Sequence, residues 1–188
     1  MLVDVMIISV IIGLLRKGSF SNLAKLPLKN LHLIFLSFMI RYIPFFLKGS
    51  LHIFAVKYNI FFVLVSYGLL MYAITSNFHL SPMKPAFFGV LLNALVIVAN
   101  GGKMPVSIKA LETAGLNYLK PLLFSSDYLY HTVMDASTKL GFLGDIIPLP
   151  PPYPRPRVVS IGDIILGIGI FWLIQLGMLK KHLLSDKI

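Results

Sequence analysis

Five apolar runs set the limits on this fold. They are Met1–Leu15, Leu31–Leu47, about Asn59–Thr75, about Pro85–Ala99 and Ile161–Leu179. A helix that crosses a bilayer needs roughly 20 predominantly apolar residues, with about 17–25 usual. Hydrophobic residues make up 57% of the 188 residues and charged residues only 13%. Soluble domains sit near about 45–50% apolar, and so few charges cannot cover a globule of this size. The expectation is an all-α membrane protein of about five transmembrane helices.

The charges then read as orientation signals. The net charge is +10, which in a soluble protein would suggest nucleic acid. Here the lysines cluster at the ends of apolar runs, so membrane lipid is the expected partner and nucleic acid is not. Arg16, Lys17, Lys25 and Lys29 follow the first run, and Lys180, Lys181 and Lys187 follow the last. Placing both clusters in the cytoplasm puts the N-terminus outside. It also puts the link Ser76–Lys84 inside and Lys48–Lys57 outside, the latter with two lysines against the rule. Asp4 interrupts the first run and no basic segment precedes it, so the run reads as a retained span. There is no cysteine, hence no disulfide framework or thiolate metal site. No motif implies a cofactor.

Three segments follow. Residues 1–99 hold transmembrane helices 1–4. Residues 100–160 form an extracytoplasmic cap, and 161–188 the fifth helix with a basic cytoplasmic tail. The cap is too long for a plain loop. "PVSIKALETAG" predicts a short helix ended by Gly115. "SSDYLYHTVMDASTKLG" predicts a second, capped by Ser125 or Ser126 and by Gly141, with Asp127, His131 and Asp135 stacked at i, i+4 spacing. Pro148–Pro156 predicts a stiff polyproline II rod.

Candidate site residues cluster on the outer side. The tetrapeptide Gly-Asp-Ile-Ile occurs on both sides of the rod and places Asp145 and Asp163 there. Asp163 fits a capping box with Ser160, and it also lies one turn into an apolar helix, where ionisable groups are costly and often functional. Asp145 fits a salt bridge to Arg155 or Arg157. Alternatively the two carboxyls meet, one keeping its proton while the other activates water. Asn100, Gly101, Gly102 and Lys103 either end a helix or bind a phosphate or lipid headgroup through backbone amides and the lysine. His131 is a ligand-binding or proton-accepting candidate. With Asp127 and Asp135, and Glu112 recruited, it could face a divalent cation, but the set is more simply a solvated face, and no metal site is assigned. Arg41 and Asp4 are intramembrane charges, and Arg41 needs Asp4 or Asp163 as partner. Asn93 predicts an interhelical hydrogen bond.

The stretch from Asp145 to Asp163 is similar to that of the prolipoprotein signal peptidases, small membrane aspartyl proteases with one aspartate in the last outer loop and one at the start of the last span. That resemblance implies catalysis by Asp145 and Asp163. The chain departs from it in placing Ile161-Gly162 where those enzymes carry Asn-Ala, and in lacking their Asn-x-Gly and Gly-Asn-x-x-Asp-Arg signatures. Over most of the chain, "GSFSNLAKLPLKN", "NGGKMPVS", His131, "LGFLGDII" and "SIGDIILGIGI" resemble an uncharacterised family of small polytopic membrane proteins of the bacterial cytoplasmic membrane. That resemblance implies five helices and supplies no activity. The first functional expectation is non-enzymatic binding of a lipid, small ligand or protein partner through the cap. The alternatives are an aspartyl hydrolase using Asp145 and Asp163, and a small transporter.

Overall fold

The structure is a computed structural model that describes residues 1–125 and 128–179. The described chain is mostly helical. Long helices α1 (Leu2–Leu15), α3 (Leu31–Phe46), α5 (Asn59–Thr75), α6 (Met83–Ala99) and α9 (Ile161–Leu179) fall on the five apolar runs. They pack in the spatial order α1, α9, α6, α5, α3. Short helices α2 (Phe20–Ala24), α4 (Ser50–Lys57), α7 (Ile108–Thr113) and α8 (Lys120–Leu123) fill the connections. Four short strands join them: β1 (Met104–Val106), β2 (His131–Val133), β3 (Ile147–Leu149) and β4 (Arg157–Val159).

Among the described residues only α9 is by itself long and apolar enough to cross a membrane. The pair α4 and α5 passes the same test together but is bent by 66° at its break. Helices α1, α3 and α6 have 14, 16 and 17 residues, or about 21–26 Å at 1.5 Å per residue. Five full-length spans are therefore not what the helices provide.

The core is mainly apolar, but it also takes in polar side chains, while large apolar ones lie on the outside. Ser9, Ser37, Ser66, Asn59, Asn77, Asn93 and Gln175 are buried. Phe35, Phe45, Phe46, Phe61 and Ile53 are each at least 60% exposed. The interior polar groups are satisfied. Gln175 donates to the Ser9 carbonyl at 2.6 Å and accepts from Arg16 at 3.0 Å, and Asn77 ties Lys29 to α5.

Glycines set the closest helix contact. A Cβ on Gly89 would lie 2.4 Å from the Leu166 amide nitrogen, and one on Gly162 would lie 2.2 Å from Asn93 Oδ1. With hydrogen there instead, α6 and α9 meet almost backbone to backbone, as small-residue interfaces allow.

The cap departs from its sequence reading in two places. Residues 131–133 form a strand, not the middle of an amphipathic helix. They pair in parallel with β1, His131 opposite Met104, so the backbone groups of β1 find partners that a helix at 125–141 would leave unmatched. β-branched Thr132 and Val133 suit that choice. Asp135 then closes a turn, accepting from Ser137 N at 2.8 Å. The proline segment is a hairpin, not a rod: β3 and β4 pair antiparallel, Ile147 opposite Val159. Prolines tolerate an edge ladder whose amides need not donate. A third departure lies at Lys48–Lys57, where α4 replaces a plain link. The short helix predicted within 105–115 forms over Ile108–Thr113 with Ser107 as N-cap, its hydroxyl accepting from Ala110 N at 3.3 Å. Ser126, Asp127 and the basic tail from Lys180 lie outside the described residues.

Candidate functional site

The cap sheet brings two distant residues together. β1 accepts β2 on one side and forms a single parallel bridge to Asp145 on the other. Asp145 N donates to Pro105 O and its carbonyl accepts from Ser107 N, each at 2.9 Å. That places the Asp145 carboxyl 3.7 Å from His131 Nε2. The distance is long for a charge-assisted hydrogen bond. Burial, helped by the negative charge of Asp163, holds Asp145 well above the usual carboxylate range. Burial, helped by Arg41, pushes His131 down to about 4. The His131 side chain keeps 38% of its surface open, yet the protein packed around it disfavours an imidazolium. Burial thus favours the neutral acid at Asp145 and the neutral imidazole at His131. Tyr128 hydroxyl contacts His131 Nδ1 at 3.2 Å; in the tautomer where Tyr128 donates, Nε2–H faces Asp145.

Asp163 sits in a second cluster at the start of α9. Ser160 Oγ accepts from Asp163 N at 2.9 Å, as a capping box requires. The carboxylate accepts in return from the Ser160 amide. It also accepts from Asn93 Nδ2 of α6 at 2.9 Å. Ser160 Oγ donates in turn to Asn93 Oδ1 at 2.8 Å. Since the hydroxyl already accepts from Asp163 N, its proton fixes which way the Asn93 amide points. The predicted interhelical hydrogen bond of Asn93 is this one.

Arg41 projects from α3 and finds neither of its expected acids. Its Nη1 donates to Asn59 Oδ1 at 3.2 Å and Nη2 reaches the Gly102 carbonyl at 3.5 Å. The guanidinium lies 4.6 Å from the centre of the Tyr130 ring, a cation–π arrangement. Asn59 is held by the carbonyls of Gly102 and Leu129, both at 3.0 Å. Asp4 is engaged elsewhere: it accepts from Tyr153 at 3.0 Å, from Arg157 at 3.2 Å and from Arg155. This also takes away the arginines expected to bridge Asp145.

These three clusters line one cavity of about 480 Å3. Arg41, Asn93, His131, Asp145 and Asp163 are in its wall, with Tyr42, Tyr67, Tyr128 and Tyr130. The sequence named His131, Asp145 and Asp163 for this outer side, together with Asn100 and Lys103, and read Arg41 as a charge deep in the membrane. It missed Tyr42, Tyr67 and Asn59, whose signal was a polar atom inside or at the edge of an apolar run, and Tyr128 and Tyr130, which lie in the cap stretch read as a helix.

Asn100, Gly101, Gly102 and Lys103 do not line the cavity. The Gly101 and Gly102 amides are spent on the Val98 and Ile97 carbonyls at the end of α6, so they cannot cradle a phosphate. Asn100 ties α6 to Lys139 N and O at 3.0 and 2.8 Å. Asp127 lies outside the described residues, and Asp135 sits in its own turn, so the predicted i, i+4 stacking of Asp135 on His131 is not formed. No cluster of three metal-ligating acids and histidines occurs among the described residues.

An uncharacterized protein of Thermotoga maritima is 29% identical over 171 residues, covering 91% of this chain and 88% of that protein. No solved structure matches the chain. The sequence profile of a family of unknown function, DUF5317, matches residues 25–175, which include Arg41, Asn93, His131, Asp145 and Asp163, and the chain belongs to that family.

Proposed function

We propose that this is an integral membrane protein that binds a small polar ligand or lipid headgroup in the cavity between its helices and its cap. The observation that carries the reading is the cavity wall. Arg41, His131, Asp145 and Asp163 come from four separate segments and meet in a space of about 480 Å3, within the usual range of about 300–1,000 Å3 for ligand sites. Placing such groups together costs stability, which function explains and packing does not.

The exposed apolar surface supports the membrane part. Large apolar side chains cover the outside of α1, α3, α5 and α9, while serines, asparagines and a glutamine are buried among the apolar residues inside. Lipid is the solvent in which that arrangement is stable. The shorter helices fit a locally thinned bilayer. The cap faces outward and the basic link after α1 faces the cytoplasm of a bacterium. One further observation favours a second reading, an aspartyl hydrolase: Asp145 and Asp163 share the cavity, one held neutral and one accepting hydrogen bonds. Loss of a hydrolytic activity in both Asp145→Asn and Asp163→Asn would mark that reading.

The chain has no cysteine, so single introduced thiols report cleanly. In intact cells a membrane-impermeant maleimide should label Lys139→Cys, and should label Lys25→Cys only after lysis. The reverse pattern, or recovery of the protein in the soluble fraction, overturns the membrane placement. For binding, a panel of small polar solutes is screened by thermal shift against the wild type and Ser66→Leu, which fills the cavity. Shifts confined to the wild type support the site, and equal shifts in both overturn it.

A further inference from the structure

We propose that the cavity is built for a zwitterion: a molecule with a phosphate or carboxylate group and, a few bonds away, an ammonium group. The inference rests on the reading of the cavity as a binding site and specifies what it takes.

The cationic end is Arg41. Its partners are an amide oxygen, a peptide carbonyl and an aromatic ring, all of them neutral. No described carboxylate lies within ion-pair reach of it. A guanidinium has five N–H donors in a fixed fork, and two of them are used. The remaining donors suit the flat or tetrahedral oxygens of a carboxylate or phosphate. Asn59 is clamped by two carbonyls, so it holds Arg41 in place and does not neutralise it.

The anionic end is Asp163. Oδ1 accepts from Asn93, and the Ser160 hydroxyl fixes that amide. The Ser160 amide also donates to the carboxylate, whose two oxygens offer about four acceptor positions in all. The carboxylate is therefore oriented from behind with an acceptor left over, as a site for an ammonium group requires.

The spacing between the ends follows from α6. Arg41 is tied to Gly102, just past the end of that helix at Ala99, and Asp163 is tied to Asn93 within it. Six residues from Asn93 to Ala99 rise about 9 Å. A charge-assisted contact of about 2.8 Å at each end leaves room for two opposite charges separated by only a few bonds. Tyr67 and the neutral His131–Asp145 pair line the same space. A simple anion would leave Asp163 unmatched, and a simple cation would leave Arg41 unmatched. A molecule with both charges matches both ends.

Two sources carry this chemistry, a free amino acid and a phosphoethanolamine lipid headgroup. The test uses the full chain in detergent micelles and calorimetric titration with four probes. They are alanine, glycerophosphoethanolamine, glycerophosphoglycerol (the anion without the ammonium) and ethanolamine (the ammonium without the anion). One of the first two should bind at least tenfold more tightly than both single-charge probes, and which one binds names the source. Arg41→Gln and Asp163→Asn should each weaken that probe at least tenfold. The probe series on the wild type needs no variant, so misfolding of either does not obscure the answer. Equal affinity for glycerophosphoglycerol and glycerophosphoethanolamine, with Asp163→Asn unaffected, overturns the zwitterion while leaving an anion site in the cavity. Failure of all four probes to bind overturns the zwitterion and removes the support for a polar-ligand site with it.

Discussion

Asp145 and His131 titrate in opposite senses, and that fixes how stability depends on pH. The folded state holds Asp145 protonated above its ordinary 3.8. An unfolded chain loses that proton first as pH rises, so this residue costs stability progressively above about pH 4 until the folded carboxyl also ionises. His131 falls to about 4 from 6.5 in the fold. The unfolded imidazole gains its proton first as pH falls, so stability drains between pH 6.5 and about 4. Asp145→Asn should therefore melt higher than the wild type, by about 2–4 °C for each kcal/mol relieved. The gap should widen from pH 4 upward. His131→Gln should show the complementary gain on the acid side. Melting curves across pH 4–9 check both, and a flat difference for Asp145→Asn would mean that the carboxyl ionises normally. Both residues were legible as candidates because acids and histidines are scarce in an apolar chain. Their pairing was not, because it depends on β1, which is remote in sequence from both, lying between His131 and Asp145 in the sheet. Arg41 was legible as a buried charge for the same reason of scarcity. Its neutral partners, Asn59 and the Gly102 carbonyl, were not, since charge matching alone points to Asp4 or Asp163.

At the scale of elements, helices were the legible part and lateral contacts were not. Apolar runs bounded by polar residues gave α5 residue for residue and the start of α9, because there the run begins where the helix begins. The pattern at 125–141 misled because helical periodicity in a short stretch carries less free energy than completing a strand pair. The α6–α9 contact was visible only as glycines within "SIGDIILGIGI" and at Gly89, which gain meaning once the crossing is known. Gly89→Ala forces a methyl against the Leu166 amide and the Gly162 carbonyl at 2.4 and 2.5 Å, and backbone cannot yield as a side-chain tip can. The expected cost is about 1–3 kcal/mol. Gly162→Ala strikes Asn93 Oδ1 and should additionally weaken ligand binding by disturbing Asp163. Gly68→Ala on α5 meets nothing within 4 Å and should be neutral or stabilising by up to about 1 kcal/mol, the helical preference for alanine. Thermal unfolding of the three variants separates close packing from propensity. Equal destabilisation by Gly68→Ala and Gly89→Ala would refute the crossing.

The whole molecule is closed by Asp4, which joins its first helix to the hairpin before its last. Sequence reading placed this acid beside Arg41, yet it accepts from Tyr153, Arg155 and Arg157. Folding the proline segment back as β3–β4 is what delivers these three donors to α1. One carboxylate thus holds the hairpin down over the start of the bundle, with its side chain 12% exposed while that of Arg155 is 53% exposed. Removing the shared acceptor should cost more than removing one donor. Asp4→Asn leaves both arginines without their counter-ion, and the hairpin should open locally before the helices unfold. Limited trypsin digestion reads this at Arg157, since Pro156 protects the bond after Arg155. Cleavage after Arg157 should be about tenfold faster in Asp4→Asn, equivalent to about 1.4 kcal/mol, while Arg155→Gln should change it little. Because Val159 and Ser160 lead directly from β4 into α9, a hairpin that opens also loosens the Ser160–Asn93–Asp163 cluster. Zwitterion affinity should then fall in Asp4→Asn although Asp4 does not line the cavity. Unchanged cleavage and unchanged affinity together would show that the hairpin is held by its own strand pairing and that the Asp4 contacts are surface pairs of little weight.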